Sequence, residues 1–134
     1  MKKIVSLLLV LCLLLTGCGG GNISGVQVAI GESACFTREE IEQAMDVAMD
    51  YFRREFDGCT MTAIRYDEGK SYAQSLEWAN TYGAEEAIVL YSDFDVDASG
   101  GDGSLNPNST YRNWQWVLTR NGGGAWVLQT WGYG

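Results

Sequence analysis

The feature that most constrains the fold is a long amphipathic segment that begins at Phe36. Thr37 and Glu40 have the spacing of a capping box, which starts helices through two reciprocal side-chain to backbone hydrogen bonds. Apolar residues then recur at three- and four-residue steps, with charged residues on the opposite face. The apolar set is Ile41, Ala44, Met45, Ala48, Phe52 and Phe56. Because Gly58 can adopt the left-handed conformation that ends helices, we expect a helix over residues 38–56 that buries one face.

Strands and one further helix are expected after this segment. Residues 60–66 alternate and are rich in β-favouring side chains, which is typical of a strand. Ser71, with Gln74 three residues later, is a second capping-box pattern and predicts a short helix that stops at Gly83. The apolar run 87–91 then predicts a buried strand.

The C-terminal region predicts a hairpin. Residues 111–120 and 125–133 are two strand-like segments, and the Asn-Gly-Gly-Gly stretch 121–124 between them tolerates the positive φ of a turn. Alternation places Trp114, Trp116 and Leu118 on one face. In the second strand it separates Trp126 and Leu128 from Val127, Trp131 and Tyr133. The prediction for residues 36–134 is one α+β domain, in which a long N-terminal helix packs on a curved antiparallel sheet of about four strands, with a short extra helix.

This layout resembles the cystatin-like and nuclear transport factor 2-like α+β folds. The segments Trp114–Leu118 and Gly124–Val127 are similar to the closing hairpin of small exported lipoproteins of that class. The resemblance implies a fold and no particular function, because such folds serve as enzymes, ligand binders and inhibitors alike.

The N-terminus is typical of an export signal. Lys2 and Lys3 precede an apolar run over residues 4–15, which as a helix would cover about 18 Å of a hydrocarbon layer roughly 30 Å thick. The following Leu15-Thr16-Gly17-Cys18 resembles the lipobox of bacterial lipoproteins. The resemblance implies cleavage before Cys18, lipid modification of its thiol by diacylglyceryl and palmitate-like acyl chains, and anchoring on the extracytoplasmic face of the cell membrane. Residues 1–17 are then the signal peptide, and the glycine-rich segment 18–35 is expected to be a flexible tether.

Composition excludes several classes of function. The chain carries 9 bases against 17 acids, a net charge of −8, and removal of residues 1–17 takes away two bases and deepens it to −10. Nucleic acid is therefore not an expected partner, since phosphates require clustered Lys and Arg. The chain has no histidine, which excludes Ser-His-Asp and Cys-His catalysis and His-ligated zinc. No catalytic residue and no cofactor is predicted.

Cys35 and Cys59 are expected to be separate thiols. The helix between them would be roughly 28 Å long, and the flanking residues recover about 17 Å at most. A disulfide requires Cα atoms within about 7 Å. In an exported protein we therefore expect two small buried apolar side chains rather than a bridge.

Two segments are candidate sites. Asp95, Asp97, Ser99 and Gly101 follow the spacing that opens a calcium loop, although Asn106 stands where the bidentate glutamate would be. The alternative is a solvated acidic turn. Trp131 and Tyr133 are the aromatic residues expected to be exposed for binding, whereas the other C-terminal tryptophans are expected in the core.

Three functions stay open on this basis. The first is a non-catalytic, membrane-anchored module that binds a protein, a peptide or a ligand derived from the cell wall. The second is an enzyme that uses carboxylates in a pocket between helix and sheet, with the pairs Asp67 and Glu68 or Asp93 and Asp95 as acids. The third is a module stabilised by calcium. The anchor and the missing histidine favour the first.

Overall fold

A computed structural model of the protein describes residues 20–133. Over that range the chain forms two helices and a mixed five-stranded sheet, which confirms the α+β class. The elements are β1 (Gln27–Ile30), α1 (Arg38–Glu55), β2 (Cys59–Tyr66), α2 (Glu68–Tyr82), β3 (Glu86–Val96), β4 (Thr110–Arg120) and β5 (Val127–Gly132). The strands lie in chain order; β1 pairs with β2 in parallel and the other neighbours are antiparallel. The structure thus differs from the prediction by one additional strand, β1, which precedes the long helix and pairs in parallel with β2.

The expected signal peptide, residues 1–17, and Cys18 lie outside the described residues. Within residues 20–133, no helix is both long enough and apolar enough to cross a membrane.

Helix α1 forms as its sequence pattern predicts. The Glu40 N–H donates to Thr37 Oγ1 at 3.2 Å, and the Thr37 N–H donates to Glu40 Oε1 at 2.8 Å, which completes the capping box. Its buried residues are Ile41, Ala44, Met45, Ala48 and Phe52. The helix ends at Glu55, one residue before the predicted end, and Phe56 is its C-cap.

Large side chains fill the space between α1 and the sheet. Phe52 of α1, Phe94 of β3 and Trp116 of β4 are fully buried there, and the Phe52 and Phe94 rings lie 5.5 Å apart, edge to face. Edge-to-face aromatic pairs of this kind add to the gain from burial. Aromatic packing therefore fills this part of the space between helix and sheet. The enzyme hypothesis, with carboxylates in a pocket between helix and sheet, stays a prediction.

Helix α2 covers the other face of the sheet. Its Trp78 packs against Val89, Tyr91 and Val117, which point away from α1. The helix starts at Glu68, with Asp67 as its N-cap, so the predicted start at Ser71 is wrong.

Ser71 has a different role from the one its capping pattern predicted. Its Oγ is buried and accepts a hydrogen bond from the backbone N–H of Val89 at 3.0 Å. Strand β2 pairs with β3 only as far as Arg65 opposite Tyr91, so this N–H lies beyond the end of β2. A buried backbone donor requires a partner, and the serine of α2 supplies it.

The glycine-rich start of the described chain packs onto the domain rather than leading away from it. The Gly21 N–H donates to the Arg53 carbonyl at 2.9 Å, and Asn22 exchanges backbone hydrogen bonds with Cys59 and Met61, both at 2.9 Å. The prediction of a tether reaching residue 35 is therefore wrong for residues 20–30. The reason is steric: a Cβ on Gly21 would lie 2.6 Å from the Phe52 carbonyl oxygen and 2.8 Å from its ring. The missing side chain permits this close approach, and Gly21 provides a donor for the Arg53 carbonyl near the end of α1.

Gly21→Ala tests this contact. We expect the substitution to lower the free energy of unfolding by about 1–3 kcal/mol, because the added methyl group overlaps Phe52 and forces the two segments apart. Gly25→Ala is the matched control, since no atom lies within 4 Å of a Cβ there. Urea denaturation followed by circular dichroism measures both. Equal, small effects would show that residues 20–22 are not packed on α1.

Candidate functional site

A cavity of about 350 Å³ opens where α1 ends. We call it the α1-end pocket. The last turn of α1, the loop 97–109, and strands β4 and β5 contribute its walls, with the buried Cys59 beside them. Its volume lies within the range of about 300–1,000 Å³ that is usual for small-molecule sites.

Four aromatic side chains from three separate parts of the chain line the pocket. They are Tyr51, Phe56, Trp114 and Trp131. The Tyr51 and Trp131 ring centroids lie 4.5 Å apart at an interplanar angle of 45°. Tyr51 and Phe56 are 6.3 Å apart at 71°, and Phe56 and Trp114 are 6.2 Å apart at 87°. The rings therefore form a continuous wall that changes direction at each step.

Trp131 reaches this wall because of a β-bulge. Leu118 lies opposite Leu128, whereas Val117 lies opposite Thr130, so one extra residue of β5 is inserted between the two pairs. A bulge of this kind reverses the alternation of side chains beyond it. The prediction that Trp131 faces away from Leu128 and the core is therefore wrong: Trp131 lies opposite Trp116, and their rings stack 6.3 Å apart.

The two aromatic residues proposed for binding are both exposed. Trp131 is 39% exposed and lines the pocket, and Tyr133 is 61% exposed. The Tyr133 ring contacts Tyr111 and Trp114 at centroid distances of 5.7 and 5.4 Å. Tyr133 therefore extends the aromatic surface next to the pocket.

One polar atom of the pocket wall lacks a hydrogen bond. The indole Nε1–H of Trp114 is buried and finds no acceptor among residues 20–133. In contrast, Trp116 donates to Ser92 Oγ at 2.8 Å and Trp126 donates to the Glu40 carbonyl at 2.9 Å. Buried tryptophan N–H groups usually have a partner, so Trp114 is an exception among the described residues.

The charged residues of the lining are all acidic. Glu55, Asp57 and Asp102 lie around the pocket, and its described lining contains neither Lys nor Arg. Burial, together with the smaller effect of the charges of Asp97, Asp102 and Asp57, raises the pKa of the Cys59 thiol to about 11. Cys59 is therefore protonated at neutral pH, and the carboxylates create a negative potential in this part of the molecule.

The candidate calcium residues each have local hydrogen bonds. Asp95 accepts from Thr110 Oγ1 at 2.7 Å, and Asp97 accepts from the Ser99 N–H at 2.8 Å. The Ser99 hydroxyl in turn accepts from the Gly101 N–H at 3.2 Å. Over residues 20–133, no group of three acidic or cysteine side chains is placed to hold a metal ion. A calcium site built on these residues stays a prediction.

The carboxylate pairs considered for acid-base chemistry are used in structural contacts. Asp93 accepts hydrogen bonds from both terminal guanidinium nitrogens of Arg65, at 3.1 and 2.9 Å. Burial alone would raise the pKa of Asp93, but the hydrogen bonds from Arg65 and the Asn113 N–H outweigh it and lower the pKa. Hydrogen bonds from Ser33 and the Ala34 N–H likewise hold the pKa of Glu68 down, at about 2. Both groups are ionised at neutral pH, which does not suit a general acid.

Neither described cysteine is in a disulfide within residues 20–133. Cys59 is buried, as expected, whereas Cys35 is exposed, which differs from the prediction that both are buried. Cys35 borders a second, more open cavity of about 420 Å³ between α2 and the segment before α1. Tyr72 and Leu76 of α2 are exposed beside that cavity.

Sequence reasoning identified Trp131 and not the other members of the α1-end pocket. Phe56 and Trp114 were assigned to the core because of their positions on apolar faces. The acids Glu55, Asp57 and Asp102 belong to segments far apart in sequence, and the signal that could have found them is that two of these acids flank Phe56. No protein-family model, curated protein or solved structure matches this chain.

Proposed function

We propose that this protein is a lipid-anchored lipoprotein on the extracytoplasmic face of the cell membrane, whose domain binds a ligand in the α1-end pocket without chemical conversion. The observation that carries the binding function is a cavity of ligand size with four aromatic side chains in its lining. The lipobox-like Leu15-Thr16-Gly17-Cys18 supports the anchor. The absence of histidine and the structural use of Asp93 and Glu68 favour binding over catalysis.

We also propose that the domain belongs to the cystatin-like or nuclear transport factor 2-like fold class. A long helix packs against consecutive antiparallel strands β2–β5, and this arrangement supports the proposal. Strand β1 pairs in parallel at the edge of that sheet.

Processing at Cys18 is the first prediction from this function. When the full chain is expressed in a bacterial host, we expect the membrane fraction to contain a form that lacks residues 1–17 and carries acyl chains on Cys18. Each buried methylene contributes about 0.8 kcal/mol, so multiple chains hold the protein firmly. Mass spectrometry of the membrane fraction measures the cleavage and the added lipid. Cys18→Ala is the control and removes the only thiol of the lipobox; an unmodified, soluble wild-type product would contradict the anchor.

Ligand binding is the second prediction from this function. A ligand that binds the folded state raises Tm, by an amount set by its concentration relative to Kd. The full chain in a maltoside detergent is tested with choline, 3,3-dimethylbutan-1-ol, 3,3-dimethylbutanoate, N-acetylglucosamine and Nα-acetyl-lysine methylamide. We expect at least one of these probes to raise Tm.

A pocket-filling variant shows where the probe binds. Ser104 lines the α1-end pocket from an exposed loop, so Ser104→Tyr fills the space without disturbing the core. Ser24→Tyr makes the same change on the surface elsewhere. We expect the rise in Tm to be lost in Ser104→Tyr and kept in Ser24→Tyr. No rise with any probe, or equal rises in both variants, would contradict the proposed binding function.

A further inference from the structure

Aromatic rings in the wall of a pocket can attract a positively charged group. A cation is attracted to an aromatic face when it lies within about 6 Å of the ring centroid, and tryptophan gives the strongest attraction. Two of the four rings in the α1-end pocket are tryptophans, Trp114 and Trp131, and successive rings are inclined by 45°, 71° and 87°. Tyr51 already has the Arg54 guanidinium over its ring at 5.9 Å, and that guanidinium is held by Asp50.

The charge around the pocket also favours a cation. Glu55, Asp57 and Asp102 belong to its lining, whereas no Lys or Arg among the described residues does. Asp102 is held by the Ser104 N–H at 2.9 Å, and its hydrogen bonds to Ser104 lower its pKa, so it is ionised at neutral pH. These carboxylates would repel an anionic ligand, and salt would weaken that repulsion by screening the charges.

The size of the pocket limits the ligand. The volume of about 350 Å³ accommodates a small molecule or one side chain with its backbone amide.

We infer that the α1-end pocket binds an organic ammonium group, as found in an amino alcohol or in a lysine side chain of a peptide. This inference rests on the proposed function, since it names the ligand class of the same pocket. The aromatic rings contact the cation, and the three carboxylates provide the surrounding negative charge.

The direct test compares two molecules of the same shape. Choline has a positively charged nitrogen at the position where 3,3-dimethylbutan-1-ol has a neutral carbon. Isothermal titration of the full chain in maltoside detergent measures both affinities. We expect choline to bind about tenfold more tightly, and this advantage to shrink as the salt concentration rises from 50 to 500 mM.

Single substitutions separate the charge from the rings. Asp102→Asn is expected to weaken choline binding about threefold and leave the neutral alcohol unchanged, because only the cation interacts with the carboxylate. Glu77→Gln makes the same change of net charge on the exposed surface of α2 and is the control. Trp131→Leu is expected to weaken choline about fivefold, and Trp131→Phe less, since phenylalanine retains an aromatic face. Thermal melts of each variant show that the loss is not one of folding.

The two sources of an ammonium group are compared in parallel titrations. Choline represents a free small molecule, and Nα-acetyl-lysine methylamide represents a lysine within a peptide; tighter binding of either one identifies the source. Equal affinity for choline and its neutral isostere would overturn the inference and leave the binding function standing. A rise in Tm with N-acetylglucosamine alone would do the same. No response to any of the five probes would overturn the proposed function itself.

Discussion

Trp116→Ala is expected to lower the free energy of unfolding by about 3–5 kcal/mol, which is a large part of the roughly 5–15 kcal/mol that stabilises a typical domain. Trp116 is fully buried between α1 and the sheet, and its ring lies against Phe52, Phe56 and Trp131 at centroid distances of 6.4, 5.4 and 6.3 Å. Truncation leaves a cavity that these rings cannot fill without moving. It also removes the hydrogen bond to Ser92.

Urea denaturation followed by circular dichroism measures the loss. Trp78→Ala is the control of the same residue type, because Trp78 is only half-buried in a small cluster on the other face of the sheet. We expect its loss to be smaller by at least about 1 kcal/mol. Equal losses in the two variants would show that the main core does not lie between α1 and the sheet.

Arg120→Met is expected to cost about 2–4 kcal/mol at pH 7, through a different mechanism. The Arg120 side chain is 6% exposed; its Nε donates to Glu86 at 3.1 Å, and its Nη2 donates to Glu40. The guanidinium also lies 4.3 Å from the ring centroid of Trp126. Methionine fills the space but leaves two partly buried carboxylates without their cation.

The pH dependence of this loss follows from Glu40. The Thr37 N–H and the Arg120 guanidinium lower the pKa of Glu40. A carboxylate with a lowered pKa stabilises the fold above its unfolded pKa, near ~4.3, and this stabilisation is lost as the pH falls through the folded value. The difference between wild type and Arg120→Met is therefore expected to be largest at pH 7 and to shrink at pH 3.

Denaturation midpoints at both pH values test this expectation. Arg112→Met is the control, because Arg112 is an exposed arginine of the same strand that lies 3.9 Å from the Asp93 carboxylate. We expect this substitution to cost less than about 0.5 kcal/mol. A loss for Arg120→Met that does not change between pH 7 and pH 3 would contradict the ion-pair account.

Local sequence signals predicted the elements that local interactions form. The Thr37 and Glu40 capping box lies within four residues, and the apolar stripe of α1 lies within one helix, so both were readable from the sequence. Strand β1 was missed because it has only four residues and gains its hydrogen bonds from β2, more than 30 residues away. The start of α2 was misplaced because Asp67, and not Ser71, caps the helix.

The pocket depends on contacts that no sequence pattern contains. The side of β5 on which Trp131 lies is decided by a bulge, and a pattern of strict alternation assigns it to the wrong face. The glycines at 20 and 21 were interpreted as flexible, although their lack of a side chain is what lets the chain pass over Phe52 and Arg53. The four aromatic rings and three carboxylates meet only after α1, the loop 97–109 and the β4–β5 pair have packed together.

The most direct test of the binding account is the indole region of a two-dimensional ¹H–¹⁵N spectrum, recorded during titration with the probe that raises Tm most. The chain has five tryptophans, and substitution of each one assigns its signal. We expect saturable shifts of the Trp114 and Trp131 signals, while the Trp78 signal, on the opposite face of the sheet, stays in place. Movement of the Trp78 signal alone, or of no indole signal, would contradict a ligand site in the α1-end pocket.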